Sequence, residues 1–424
     1  MSVQFATAWS SVIKGVGAIA GGPYYCAQGS ALASTVGGGI LNALTTCMKG
    51  KPFPPDVRAY IKTTNGYVKS KDIDSTSNLK KQKIYIFNGY NDKVVDRSVT
   101  NTLQEYYQHY LTRENYGNLY YQNAIGAGHS QVTTTYGSAC NENSGDFIND
   151  CDYDQAGIIL QHIYGTLNKK NDAGALSSTP KPFNQRDFTR PRSPASFSMA
   201  ETGYVYVPAA CDNGQQKCRV HVVLHGCKQN TATIGDHFYR NAGYNEWADS
   251  NAIIVLYPQT VASAFGDGTV PMNPEGCWDW FGFTNGNYAK KSGRQITTIK
   301  GMLDKLTSGS KATPAPAPAA DRTPRNLRTT DSSDTGVDLV WSPVAGATRY
   351  NVFRTMEPSR PFQPIGTVAG PSFGDAALSP ARSYWYQVSA VVEGIPSPVS
   401  DSIAAMTLAV PPRCDNPGTC LLKN

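Results

Sequence analysis

An α/β domain followed by an all-β sandwich is the fold class this sequence predicts, on three observations. Up to about residue 306, short apolar runs bounded by turn residues alternate with amphipathic stretches, the pattern of a mostly parallel sheet with covering helices. Residues 308–320 break that pattern with an alternating Ala-Pro run, an extended and semi-rigid spacer. Beyond it, short alternating strands separated by turn signals take over, as a sandwich of about one hundred residues requires. The domain plan is therefore 1–307, a linker over 308–322, a β-domain over 323–408 and a cysteine-containing tail over 409–424.

Composition narrows the function classes. A chain of 424 residues, 40% of them hydrophobic, is long enough to bury two cores. The net charge of +6 is not gathered into a basic block, which argues against nucleic acid as a partner. No apolar run approaches the length of a membrane span. The ten cysteines include the close pairs Cys140 and Cys151, Cys211 and Cys218, and Cys414 and Cys420. None forms a tight Cys-x-x-Cys or His-Cys cluster, so no metal and no cofactor is expected. Disulfides are, and with them an extracellular, exported protein. Connectivity stays open at this level. Residues 1–5 lack the basic start and long apolar middle of a signal peptide, and the natural N-terminus is expected to lie upstream.

The elements follow in order. Apolar residues at Val3, Ala6, Ala8, Trp9 and Val12 have helical spacing, and 15–20 reads as a buried strand ended by Gly21-Gly22-Pro23. Residues 30–50 are ambiguous. A helix is expected over 56–63, a strand at 84–87, a helix over 98–111 and a strand over 119–125. Asp152 or Asp154 is expected to cap the helix carrying Ile158 to Ile163, with Cys140 and Cys151 bridging the preceding loop. A polar connection over 165–192 leads to strands near 204–208, 219–224 and 252–257 and a closing helix over 292–306. In the β-domain, strands are expected at 338–341, 349–354 and 383–391.

Chemistry is expected at two loops. The strand ending at Phe87 turns on Asn88-Gly89 and delivers Asp92; 37 residues later, His129 stands in the glycine-rich segment Gly126-Ala127-Gly128-His129. A strand-end acid followed by a loop histidine is the back half of a triad in the order Ser…Asp…His, in which the carboxylate fixes the tautomer of an imidazole that exchanges a proton. His225-Gly226-Cys227 follows a strand in the manner of a segment that lends a backbone N–H to an oxyanion hole. The run 276–282, with Trp278, Trp280 and Phe281, suits either core or the aromatic wall of a cleft. The sole Gly-x-Ser-x-Gly match, Gly370 to Gly374, lies in the β-domain without a following helix and reads as a decoy. The helix over 1–12 stands where an elbow helix should, which puts the expected serine just before Met1.

Taken together, residues 15–26, 87–92, 126–129, 224–229 and 276–280 resemble extracellular poly(3-hydroxybutyrate) depolymerases of the circularly permuted type, in which the oxyanion segment follows the triad histidine. Trp341, Tyr350 and Tyr384-Trp385-Tyr386 make the β-domain resemble a fibronectin type III module, which also suits that family. The resemblance implies a circularly permuted α/β-hydrolase lacking its nucleophile elbow, with Asp92 as the acid, His129 as the general base, Cys227 as an oxyanion donor, and Trp278 and Trp280 lining the site. It implies a polyester granule or film surface as partner, and a monomer. The chain from Met1 alone is expected not to hydrolyse esters at family-like rates. A related plant cell-wall esterase, or an inactive polymer-binding protein, are the alternatives.

Overall fold

The computed structural model describes all residues except 28–37, 53, 213–215, 264–270, 309–321, 358–359, 361, 393–394, 398 and 410–424. The chain divides into two compact units, residues 1–315 and 316–424. The expected linker lies almost wholly outside the described residues, as does the tail with Cys414 and Cys420.

In the first unit, helix α1 (Ser2–Ala8) leads into β1 (Gly15–Ile19), which pairs in parallel with β2 (Lys83–Phe87); β2 pairs in parallel with β3 (Leu119–Gln122). β2 is the middle strand and is buried on both faces, as its continuous apolar run requires. Ile84 and Ile86 enter one core, with residues of α1 and of the helices Arg97–Tyr110 and Arg294–Thr307. Tyr85 and Phe87 point the other way, against Ile159 and Leu160 of the helix Gln155–Tyr164. β1 presents Gly17 to that second helix, and a Cβ there would stand 3.3 Å from Ile159. The absence of a side chain lets the helix settle onto the sheet.

A second hydrogen-bonded sheet, in the order β7-β8-β10-β9, is formed by β7 (Lys181–Asn184), β8 (Thr202–Tyr206), β9 (Arg219–Val222) and β10 (Ile253–Tyr257). Leu256 joins the first core while Ile253, Val255 and Tyr257 join the second, so the two sheets share both cores. This half departs from the expected parallel arrangement. Only β9 and β10 are parallel; β7 pairs antiparallel with β8, and β8 with β10. β7 lies inside the stretch read as a polar connection, because a strand of Lys-Pro-Phe-Asn has no apolar alternation to reveal it. A small sheet of β4 (Gln131–Thr133), β5 (Ser138–Ala139) and β6 (Ile148–Asp150) follows the histidine loop.

The second unit is a sandwich. One sheet is β11 (Arg328–Ser332), β12 (Gly336–Val340) and β15 (Ser372–Ala376). The other pairs β13 (Ala347–Thr355) with β14 (Gln363–Val368) and β16 (Ser383–Val392), with β17 (Ile395–Pro396) and β18 (Ile403–Met406) also on β16. Trp341 meets Tyr350 edge-on at 5.3 Å in its core. Buried Asp375 of one sheet accepts from Arg354 (2.7 Å) and Tyr386 (2.8 Å) of the other. Ser372 of the Gly-x-Ser-x-Gly match opens β15 and stands on no elbow, as expected.

Of the two capping candidates, Asp154 caps the helix Gln155–Tyr164, accepting from Gly157 N–H at 2.9 Å through Oδ1. Its Oδ2 accepts from Trp247 Nε1 at 2.9 Å, which holds the indole over Gly157, where a Cβ would come within 2.5 Å of the ring. Alanine in place of helical glycine ordinarily gains about 1 kcal/mol. Here Gly157→Ala is expected to cost about 1–3 kcal/mol in urea unfolding, because the indole is tied to the cap and cannot yield.

Candidate active site

The strand pair that carries the acid and the histidine keeps pairing after its strands end. Asn88 N–H donates to Gln122 C=O (3.1 Å), Tyr90 N–H to Ile125 C=O (3.0 Å) and Asn91 N–H to Ala127 C=O (3.1 Å). Gly89 permits this approach: a Cβ there would lie 2.1 Å from the Ala127 carbonyl oxygen. The two loops therefore leave the sheet together, and Asp92 and His129 meet.

The Asp92 side chain is 1% exposed and that of His129 29%. Asp92 Oδ1 accepts from Val94 N–H (2.8 Å) and Val95 N–H (2.9 Å). Its Oδ2 lies 3.0 Å from His129 Nδ1. A carboxylate with this donor set accepts, so Nδ1 carries the proton and Nε2 is the basic nitrogen. Nε2 hydrogen-bonds to none of the described residues, and the imidazole edge rests against Phe147 at 6.0 Å between ring centres. This is the orientation a general base requires.

The segment 225–229 is built as a rigid turn. The disulfide Cys227–Cys277 joins it to the aromatic run, a pairing across 50 residues that the sequence left open. Gly226 N–H donates to Gln229 Oε1 (2.7 Å) and Lys228 N–H to Glu275 C=O (2.7 Å). Cys227 N–H, between them, donates to none of the described residues. Gln229 Nε2 reaches the Asp146 and Phe147 carbonyls, both at 2.9 Å, and so ties this turn to the residue that packs on His129.

His225 sits behind the turn. Its Nδ1 donates to Gly226 C=O (2.7 Å) and its Nε2 accepts from Thr260 N–H (3.2 Å), which makes it a neutral structural pin. Burial pushes its pKa down to about 4. Trp278 is buried, 5.4 Å from the His225 ring. Trp280 is half-buried and perpendicular to Phe281 at 5.6 Å, and Phe281 meets Phe283 at 5.2 Å. Buried Asp279 organises this loop, accepting from the N–H groups of Gly282 (2.6 Å), Phe283 (3.1 Å) and Thr284 (2.9 Å). Burial raises its pKa against those hydrogen bonds.

Gln229, Asp279 and the His225 imidazole thus shape the site through side-chain bonds that no sequence motif marks. The three other pairs, Cys26–Cys47, Cys140–Cys151 and Cys211–Cys218, complete the disulfides among the described residues. Among these residues no helix is long and apolar enough to cross a membrane.

The buried His225 sets a pH dependence. Its folded pKa of about 4 lies below the ordinary value of 6.5, so between those values the unfolded chain binds a proton that the native one does not. Its contribution is complete above pH 6.5 and is lost as pH falls towards 4, by about 2 kcal/mol at pH 5. Urea unfolding of His225→Gln is expected to show a pH 7-to-5 loss smaller than the unmodified chain's by about that amount.

No protein-family model matches the sequence. Among characterised proteins, the chain is 38% identical over 392 residues to a poly(3-hydroxybutyrate) depolymerase of Delftia acidovorans, covering 92% of this chain and 73% of that one. It is 36% identical over 318 residues to a polyhydroxybutyrate depolymerase of Talaromyces funiculosus, covering 73% and 86%. Among solved structures, a PHB depolymerase complexed with an R3HB trimer superposes with a TM-score of 0.62 at 33% identity, over 72% of this chain and 91% of that one. The crystal structure of PHB depolymerase from Penicillium funiculosum gives 0.62 at 32% identity over the same shares. At this identity and coverage, and with an α/β-hydrolase architecture, the chain belongs to the poly(3-hydroxybutyrate) depolymerase family.

Proposed function

We propose that this chain supplies the acid, the base and one oxyanion donor of a secreted serine esterase that cleaves poly(3-hydroxybutyrate) at the polymer surface. The observation that carries the reading is the 3.0 Å contact between buried Asp92 and His129 Nδ1, which leaves Nε2 basic. His129 Nε2 takes the proton of a serine hydroxyl as that oxygen attacks the ester carbonyl, and returns it to the departing alkoxide. Asp92 holds the tautomer and stabilises the imidazolium. Cys227 N–H faces the developing oxyanion. Water, deprotonated by the same nitrogen, then releases the acyl group as hydroxybutyrate oligomers and monomers. The nucleophile in this reading is a serine hydroxyl presented to His129 Nε2. Trp280, with Trp278 behind it, offers the apolar surface for the polyester.

Joining a strand and a Gly-x-Ser-x-Gly turn ahead of Met1 is expected to give release of hydroxybutyrate from polyester film. His129→Ala or Asp92→Ala should lower that release by about 10³-fold or more. Equal release by the chain from Met1 alone, or preferential deacetylation of xylan, would overturn the reading. In the joined form, Trp280→Ala is expected to slow film hydrolysis by about tenfold while sparing a short soluble ester.

A further inference from the structure

The loop between Cys140 and Cys151 contains a side chain that makes three of its four hydrogen bonds to the catalytic loops. Asn143 Oδ1 accepts from His129 N–H (2.9 Å) and from Lys93 N–H (2.9 Å). Its Nδ2 donates to Asn91 C=O (3.1 Å) and to Asn141 C=O (3.1 Å). A primary amide has two acceptor sites and two donor hydrogens, and here all four are used. The orientation is fixed chemically, since a flipped amide would set its NH₂ against two N–H groups and its oxygen against two carbonyls. Three of the four bonds fall on the residue before Asp92, on the residue after it, and on His129 itself, and the fourth stays within the loop.

The loop that presents Asn143 is itself clamped. The Cys140–Cys151 disulfide closes it. Cys140 C=O accepts from Gly128 N–H (2.8 Å), and buried Asn149 Nδ2 donates to the carbonyls of Cys140 (2.9 Å) and Glu142 (2.8 Å). Gly128 is pressed so closely that a Cβ would lie 1.9 Å from Glu142 C=O.

We propose that Asn143 is a positioning residue, the splint that fixes the Asp92 loop against the His129 loop and keeps Nδ1 aimed at the carboxylate. The inference rests on the reading of Asp92 and His129 as a catalytic pair, and its test does not depend on ester turnover. Asn143 touches no reacting atom. Its effect passes through the Asp92–His129 hydrogen bond, and the Nδ1 proton in that bond is the direct reporter.

The experiment is ¹⁵N-histidine NMR of the full chain, with the His129 Nδ1 proton assigned by its loss in His129→Ala. In Asn143→Ala that proton is expected to exchange with solvent about tenfold faster than in the unmodified chain. Ser144→Ala, in the same loop but bonded only to Glu142, should leave it unchanged. If Asn143→Ala does not fold, Asn143→Asp carries the test: it keeps an acceptor for the two N–H groups and replaces the donor with an oxygen that faces two carbonyls. Exchange within about twofold of the unmodified chain in a folded Asn143 variant, or equal acceleration in Ser144→Ala, would overturn the proposal. If polyester hydrolysis fails while the proton responds as expected, the substrate reading falls and the positioning role stands.

Discussion

Hydrogen-bonded register between two neighbouring parallel strands is the constraint on which the site depends. β2 and β3 do not part where their strands end; their loops remain paired from Asn88 to Asn91 and from Gln122 to Ala127. Because each of these contacts is main chain to main chain, the sheet itself brings the Asp92 and His129 loops side by side, where the Asn143 amide bonds across them. Gly89 is where that closeness becomes a sequence requirement, since a Cβ there would meet the Ala127 carbonyl oxygen, and Gly128 plays the same part against Glu142 of the neighbouring loop. The buried carboxylate is then satisfied by two N–H groups and one imidazole, which makes its desolvation tolerable.

The second sheet contributes the other side of the site on different terms. The turn after β9 is held by a covalent link, Cys227–Cys277, by the neutral His225 pin, and by Gln229, which crosses to the Phe147 carbonyl. The acid and histidine loops are thus brought together by backbone pairing and bridged by the Asn143 amide, while the oxyanion candidate is held by side chains and sulfur. The two systems touch at Phe147, which takes Gln229 on its carbonyl and His129 on its ring.

Much of this was legible before any coordinates. Asp92 and His129 stand out because a strand, an Asn-Gly turn and a glycine-flanked histidine are local patterns. β1, β2, β9 and β10 were visible as apolar runs, and Cys140–Cys151 as a close pair. β7 was not, because Lys181-Pro182-Phe183-Asn184 takes its strand form from pairing with β8 and not from its own pattern. Asn143 and Gln229 were hidden for a different reason. They are two amides among many polar loop residues, and only the partners gathered around each distinguish them. Cys227 and Cys277 are far apart in sequence and are brought together only by the tertiary fold.

The placement of the disulfides has a consequence for the order of the chain. Cys26–Cys47 and Cys140–Cys151 close within the part that holds β1 to β6, and Cys211–Cys218 and Cys227–Cys277 within the part that holds β7 to β10. Among the described cysteines, no sulfur bond crosses from one part to the other. Each part is covalently sealed on itself, and the two adhere through shared cores and through side-chain hydrogen bonds such as those of Gln229 to Phe147 and of Trp247 to Asp154. The order in which they are joined along the polypeptide can therefore be exchanged without unpairing a single cystine. In either order, each of the four described cystines stays with the part it braces.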